Sequence, residues 1–140
     1  EDNYEFEIGK AIWVRKTGKI CIVSTGTTVG QSLAAATQLE SENVDVSVLN
    51  MHTIKPLDHH ALDQVAQDFD HVFVVEEHST IGGLGDAVVR YFNDHTNHRV
   101  KIHCHGIHDM FVPAGDYPFL LQNAKLDSTG IAVFLRETLS

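Results

Sequence analysis

The feature that most constrains this chain is an alternation. Four short runs rich in β-branched and apolar residues, KICIVS at 19–24, VDVSVLN at 44–50, HVFVVE at 71–76 and RVKIHCHGI at 99–107, are each followed by a stretch with apolar residues at helical spacing. A strand that gives way to a helix returns to the sheet by a crossover, so its successor lies parallel to it and the helices cover the sheet faces. The fold class expected is therefore α/β, a three-layer α/β/α arrangement around one sheet.

The helical stretches can be read individually. Val29, Leu33, Ala36 and Leu39 form one apolar face over residues 29–42. Asp58 stands where a helix N-cap is expected, after Pro56 ends the extended run, and Ala61, Leu62, Val65 and Phe69 follow on one face. Leu84, Val88, Tyr91 and Phe92 form the third face. A short helix is expected over 117–123, and a closing one over 128–139 with Ile131, Phe134 and Leu135 inward. Residues 11–16 (AIWVRK) form one more β-branched run, separated from 19–24 by Thr17-Gly18. A two-residue turn containing glycine between such runs predicts a β-hairpin. That makes a mixed sheet of five strands with the first antiparallel, and 71–76, the most apolar run, central in it. Residues 1–10 read as a lead-in linker and 11–140 as one domain without internal boundaries.

Composition excludes several function classes. The formal net charge is -9 with histidine neutral, against the clustered Lys and Arg that phosphate neutralisation requires, so neither a nucleic acid nor an anionic membrane surface is an expected partner. No apolar run reaches the roughly 18 residues of a membrane helix. Cys21 and Cys104 both lie inside apolar runs and read as buried free thiols in a reducing, cytoplasmic compartment. The chain begins with Glu1 instead of Met, as a fragment or processed chain does.

Four constellations could carry chemistry. Glu76-Glu77-His78-Ser79-Thr80-Ile81-Gly82-Gly83-Leu84-Gly85 runs from a strand end into a helix start, the edge where open α/β sheets bind ligands and where glycines let amides approach an anion. The bland alternative is a tight turn with close helix packing, in which Glu77 and His78 cap the turn or meet a neighbouring domain. Glu76 and Glu77 point to opposite faces of a strand and so do not form an acid–base dyad. Ser24-Thr25-Gly26-Thr27-Thr28-Val29-Gly30 is a second strand-end loop, able to cradle a phosphate or carboxylate or simply to cap a helix. His103, His105 and His108 flank Cys104, with His103 and His105 on one strand face, so a zinc or nickel site is conceivable, although no structural-zinc spacing is present; His59, His60, His95 and His98 read as solvated. In residues 50–58, Lys55 or His52 could meet an anion, or Ile54 and Leu57 could pack around a turn fixed by Pro56. No nucleophile–base arrangement is legible.

The stretches SVLNMHTIKPLD, VFVVEEHSTIGGLGDAV and GIHDMFVPAG, followed by LL and GI, resemble in this order the C-terminal domain of the transketolase family, and the opening YEFEIGKA resembles the segment that follows the family's pyrimidine-binding domain. The likeness covers nearly the whole chain and is nearest to transketolases encoded as two polypeptides, where this domain ends the second. The resemblance implies a mixed five-stranded sheet with an antiparallel first strand. It implies a parent enzyme that is a dimer and uses thiamine diphosphate and Mg²⁺, held by its diphosphate- and pyrimidine-binding domains, to transfer two-carbon ketol units between sugar phosphates, as in the pentose phosphate pathway. The metal–diphosphate signature is missing here, since Gly85-Asp86 is followed by Ala87 and Gly115-Asp116 by Tyr117, so the resemblance assigns this chain no catalytic, cofactor-binding or metal residue. It does assign a domain-packing motif: Glu77, His78, Ser79, Gly82, Gly83 and Gly85 in the strand-end loop, and Asp109 and Phe111 in a G-x-x-D-x-F element. Glu77-His78 suits transketolases, whereas Val112-Pro113 is more synthase-like, so a 1-deoxyxylulose-5-phosphate synthase or a 2-oxoacid dehydrogenase E1 β subunit stays open as parent. A free-standing module binding an anion or nucleotide is the alternative of another class.

Overall fold

The computed structural model describes residues 5–95 and 99–140. Among the described residues, five strands and five helices follow in the order β1 (Ile12–Arg15), β2 (Ile20–Ser24), α1 (Thr28–Glu40), β3 (Val46–Asn50), α2 (His59–Asp68), β4 (His71–Ser79), α3 (Leu84–His95), β5 (Lys101–Ile107), α4 (Tyr117–Asn123) and α5 (Ser128–Leu139). They form one sheet in the order β1-β3-β2-β4-β5, parallel throughout except for β1. Strand alternation divides the core in two. Cys21, Val23, Leu49, Val72 and Val74 face α2 and α3, while Ile22, Val48, Phe73 and Val75 face α1 and α5. The three-layer α/β fold with an antiparallel first strand is thus as expected, and β4 is interior, although β2 occupies the middle.

The hairpin is not formed. β1 pairs with β3, Ile12 opposite Asn50 and Trp13 opposite Leu49, and makes no ladder with β2. Burial explains the choice. Every residue of β2 after Ile20 is buried, and such a strand needs a neighbour on each side and helices on both faces. β1 is only half buried, as suits an edge. The segment between them therefore crosses beneath the start of β3. The Thr17 amide donates to Ser47 Oγ at 2.6 Å, and a Cβ on Gly18 would lie 2.4 Å from the Asp45 carbonyl oxygen. A register shift between Trp13 and Arg15 turns Val14 outward, while Trp13 stacks on Phe69 at 5.6 Å.

Two further expectations change. The buried stripe of α1 is Thr28, Ser32, Ala35, Ala36 and Leu39, with Val29 and Leu33 only half buried, because α1 is clamped between the sheet and α5 and small side chains permit that approach. Cys21 is buried, and burial drives its thiol pKa far up; Cys104 is exposed, because β5 is the outer strand on its edge. Elsewhere the expected faces hold: Asp58 accepts from the Ala61 amide at 3.0 Å as N-cap, and Leu84, Val88, Tyr91 and Phe92 are buried. His98 and residues 1–4 lie outside the described residues.

Candidate functional site

The strand order reverses between β2 and β4. The chain leaves β2 for α1 on one face of the sheet and leaves β4 for α3 on the other, so a crevice opens between their carboxyl ends. It encloses about 430 Å³ and is lined by Thr25–Thr27 from the first loop, Glu76–His78, Gly82 and Gly83 from the second, and Ile54 from the loop after β3. The two glycine-containing constellations and part of the third loop are thereby brought together.

The loop after β4 is built around Glu76, the first residue of the strand-end constellation and one to which the family resemblance assigns no role. Its carboxylate is 3 % exposed and accepts from the Leu84 amide at 2.7 Å and the Gly85 amide at 2.8 Å. Those are among the otherwise unpaired amides of the first turn of α3, and the negative charge sits on the favourable end of the helix dipole. Gly83 is required by this contact, because a Cβ there would stand 2.0 Å from Glu76 Oε2. Asp86 closes the turn from the other side, accepting from the Gly82 amide at 2.6 Å. The β4–β5 ladder slips between Val75 and Ser79, where β4 bends to bring Glu76 over α3. Gly106 permits that bend, since a Cβ on it would meet the His78 carbonyl oxygen at 2.8 Å. The sequence signal for Glu76 is a carboxylate eight residues before a glycine-flanked helix start, whereas strand parity by itself only separates it from Glu77.

Glu77 points to the opposite face, as strand parity requires. It accepts from Thr27 Oγ1 and from the Tyr117 hydroxyl, the latter at 2.7 Å, joining the loop after β2, the end of β4 and the start of α4. Thr27 makes no side-chain cap bond to its own helix. The carboxylate held by the Thr-Gly-Thr-Thr loop is therefore one from this chain. Thr28 anchors the same loop by donating to the Thr25 and Val75 carbonyls at 2.8 and 3.0 Å. His78 is exposed, its Nδ1 2.9 Å from the Ser79 carbonyl and 4.0 Å from Glu76 Oε2, and Ser79 Oγ accepts from the Ile81 amide. The turn is thus capped by Glu76, Ser79 and Asp86 and not by Glu77 or His78.

The remaining candidates separate. Gly83 and Gly85 are buried, whereas Gly82, Asp109 and Phe111 are exposed. The three histidines do not converge. His103 stacks on Phe73 at 4.8 Å and lies 3.3 Å from the His71 Nδ1 through its Nε2. His105 is 8 % exposed, stacks on Phe134 at 4.6 Å and donates from Nε2 to the Lys125 carbonyl at 2.8 Å, while His108 is exposed. Burial lowers the pKa of His103, with help from His71, and burial likewise lowers that of His105. Among the described residues no three His, Cys, Asp or Glu side chains are placed to hold a metal ion. In residues 50–58, Ile54 is 42 % exposed instead of packed and Leu57 is half buried against the core. Asp58 does double duty, accepting from the Ala11 amide at 2.8 Å as well as capping α2.

A metal–diphosphate group does not fit this arrangement. The amides of the α3 first turn that could receive a diphosphate are bonded to Glu76, and Asp86, the aspartate of Gly85-Asp86, is committed to Gly82.

Comparison with known proteins supplies the context. The profile of the family described as transketolase, C-terminal domain, matches residues 9–131. A 1-deoxy-D-xylulose-5-phosphate synthase of Magnetococcus marinus is 36 % identical over 141 residues, covering 99 % of this chain and 22 % of that protein. The 6-deoxy-6-sulfo-D-fructose transketolase subunit SqwH of a Clostridium species is 34 % identical over 130 residues, covering 93 % of this chain and 40 % of the subunit. A solved structure described as a split gene transketolase, inactive beta4 tetramer, superposes with a TM-score of 0.88 at 27 % identity, over 98 % of this chain and 44 % of that one. The chain therefore spans less than half the length of each of these relatives. No described helix is long and apolar enough to cross a membrane.

Proposed function

The chain belongs to the transketolase C-terminal domain family, and from that premise we propose that it is the accessory C-terminal domain of a thiamine-diphosphate-dependent transketolase, working in the cytoplasm as part of a dimer. Carbanion chemistry on ketose phosphates belongs to the cofactor, held with Mg²⁺ by the diphosphate- and pyrimidine-binding domains. This chain contributes domain packing and dimer contacts. Of the motif residues, Glu77, His78, Gly82, Asp109 and Phe111 are exposed and Ser79 is half-buried, which supports a role in contacts with those domains, while Gly83 and Gly85 are buried and shape the loop from beneath. One observation carries the reading: the helix start that would bind a phosphate in a free-standing ligand module has its amides bonded to Glu76. The same observation weighs against an anion- or nucleotide-binding regulatory module.

Likeness to SqwH and to the split transketolase supports a parent encoded as two polypeptides, with this domain in the second. Likeness to the Magnetococcus synthase at 36 % identity supports a second reading, in which the parent makes 1-deoxy-D-xylulose 5-phosphate. Turnover decides between them. The isolated chain, given thiamine diphosphate, Mg²⁺ and ketose and aldose phosphates, is expected to produce nothing, and the complete enzyme carrying this domain to transfer a ketol unit. Formation of 1-deoxy-D-xylulose 5-phosphate instead selects the second reading, and turnover by the isolated chain ends both.

A further inference from the structure

Every residue from 108 to 119 is exposed, and Phe111 is 101 % exposed, so its ring touches nothing in this chain. The stretch is nonetheless held at both ends. The Ile107 carbonyl accepts from the Thr80 amide at 2.9 Å, and Asp116 caps α4 by accepting from the Phe119 amide at 3.0 Å, with Leu121 buried behind it. Alternate residues of the loop have different surroundings. His108, Met110 and Val112 line a cavity of about 310 Å³ between the loop and the turn from α4 into α5, whereas Asp109 and Phe111, the pair that the resemblance assigns to domain packing, do not. Ile107 and Ala124, which also line it, pack against the core under α1 and α5, so the cavity is in place before anything enters. Its volume lies at the lower end for small-molecule sites, and a mostly apolar lining with a few polar groups is what such sites share.

Three side chains decide what the cavity accepts. His105 lines it, is 8 % exposed, lies against Phe134 on one ring face and gives its Nε2 proton to the Lys125 carbonyl. Nothing among the described residues bonds its Nδ1. A neutral ring that donates from Nε2 offers Nδ1 as an acceptor. Burial lowers the pKa of this ring, and the positive charges of His108 and Lys125 add to the effect against the pull of the carbonyl bond, which keeps the proton off Nδ1. The same two groups put positive charge on the wall. Lys125 stands in the left-handed region at φ 56, where a helix end usually has glycine, so the turn carries a cation instead of a bare backbone. Although the chain has a net charge of -9, no Asp or Glu among the described residues lines the cavity. We propose that this cavity binds a small organic carboxylate with a compact apolar body: the body on Met110, Val112 and Pro113, the carboxylate on Lys125, and a hydroxyl or N–H donated to His105 Nδ1. A sugar phosphate does not suit it, because its hydroxyls would lose water against mainly apolar walls. The site goes beyond the activity proposed for the parent and does not depend on it.

Methyl and amide NMR during titration with para-hydroxybenzoate tests the proposal, on this chain and on the complete parent that carries it. Saturable shifts are expected at the methyl groups of Ile107, Met110 and Val112 and at the amides of residues 105–108, with a Kd below about 1 mM. Benzoate, which lacks the donor, and para-cresol, which lacks the charge, are each expected to bind at least about tenfold more weakly. Lys125→Asn keeps a residue that tolerates the left-handed conformation and removes the cation. It is expected to abolish the preference for para-hydroxybenzoate over para-cresol while leaving the midpoint of thermal unfolding unchanged. No shift at about 10 mM ligand, shifts centred on the crevice between β2 and β4, or equal affinity for the three probes overturns the inference. So does a parent in which Met110 no longer responds, since the cavity is then taken up by contacts between domains. A parent that shows these shifts yet transfers no ketol unit overturns the proposed activity alone.

Discussion

The loops that leave β4 and β5 start from neighbouring strands on one edge of the sheet, yet they are opposites. In the first, polar groups find partners inside the chain: Glu76 takes two amides of α3, Asp86 takes Gly82, and Ser79 takes Ile81. In the second, apolar groups go without a cover, and Phe111 is bare. A loop whose hydrogen bonds close on themselves holds shape and has little left to offer a ligand. A loop that is anchored at its ends but exposes its apolar side chains has its binding surface ready-made. The glycine-rich motif draws attention in the sequence, but its polar groups are taken up within the chain, and the exposed apolar side chains lie next door.

That contrast can be broken most forcefully at Glu76. Glu76→Leu removes two buried charge-assisted hydrogen bonds and leaves two amides unpaired, a loss of about 3 kcal/mol. Gly83→Ala, which forces a Cβ against the same carboxylate, is expected to cost about as much, as steric overpacking in a tight core does. Urea denaturation of each variant checks both, and a change under 1 kcal/mol in either would show that the loop is not the closed unit described here. Asp58→Ala, which loses the α2 cap and the tie to Ala11, is expected to cost about 1.5 kcal/mol in the same assay.

A smaller effect comes with pH. His105 and His103 have folded-state pKa values below the ordinary histidine value, mainly through burial, so below about pH 6.5 the unfolded chain binds more protons than the folded one. Stability is therefore expected to be full near pH 7.5 and to decline as the pH falls below 6.5. His105→Phe is expected to flatten part of that decline. A stability profile that is level between pH 7.5 and 5.5 would contradict the packing described for β5 and α5. Smallest of all is Phe111→Asp in the isolated chain, expected within about 0.5 kcal/mol of the parent sequence, since the ring has no contacts to lose. A large destabilisation would mean that the loop is part of the core and not a free surface.

How far the sequence could be read follows the range of the interactions involved. Helix faces and caps are local, and α2, α4, α5 and the Asp58 cap are where periodicity and side-chain chemistry place them. Pairing of β1 is not local. Thr17-Gly18 has the composition of a hairpin turn, but the fully buried β2 competes for the interior, and β1 is left to the edge beside β3. The stripe of α1 shows the same limit, because hydrophobicity favours Val29 and Leu33 while the closeness of α5 selects Ser32 and Ala35. In the candidate site, strand parity rightly separated Glu76 from Glu77, yet which of them turned inward depended on where α3 packs. Phe111 could be picked out by its motif, but its complete exposure could not, because a phenylalanine in sequence looks the same whether it fills a core or awaits a partner.

The most direct test of the account is a calorimetric titration of the purified chain with thiamine diphosphate and Mg²⁺. With the first-turn amides of α3 occupied by Glu76 and Asp86 bonded to Gly82, the account predicts no heat of binding. Saturable binding at one equivalent per chain would contradict it, since a complete cofactor site would then exist where Glu76 already occupies the helix-start amides.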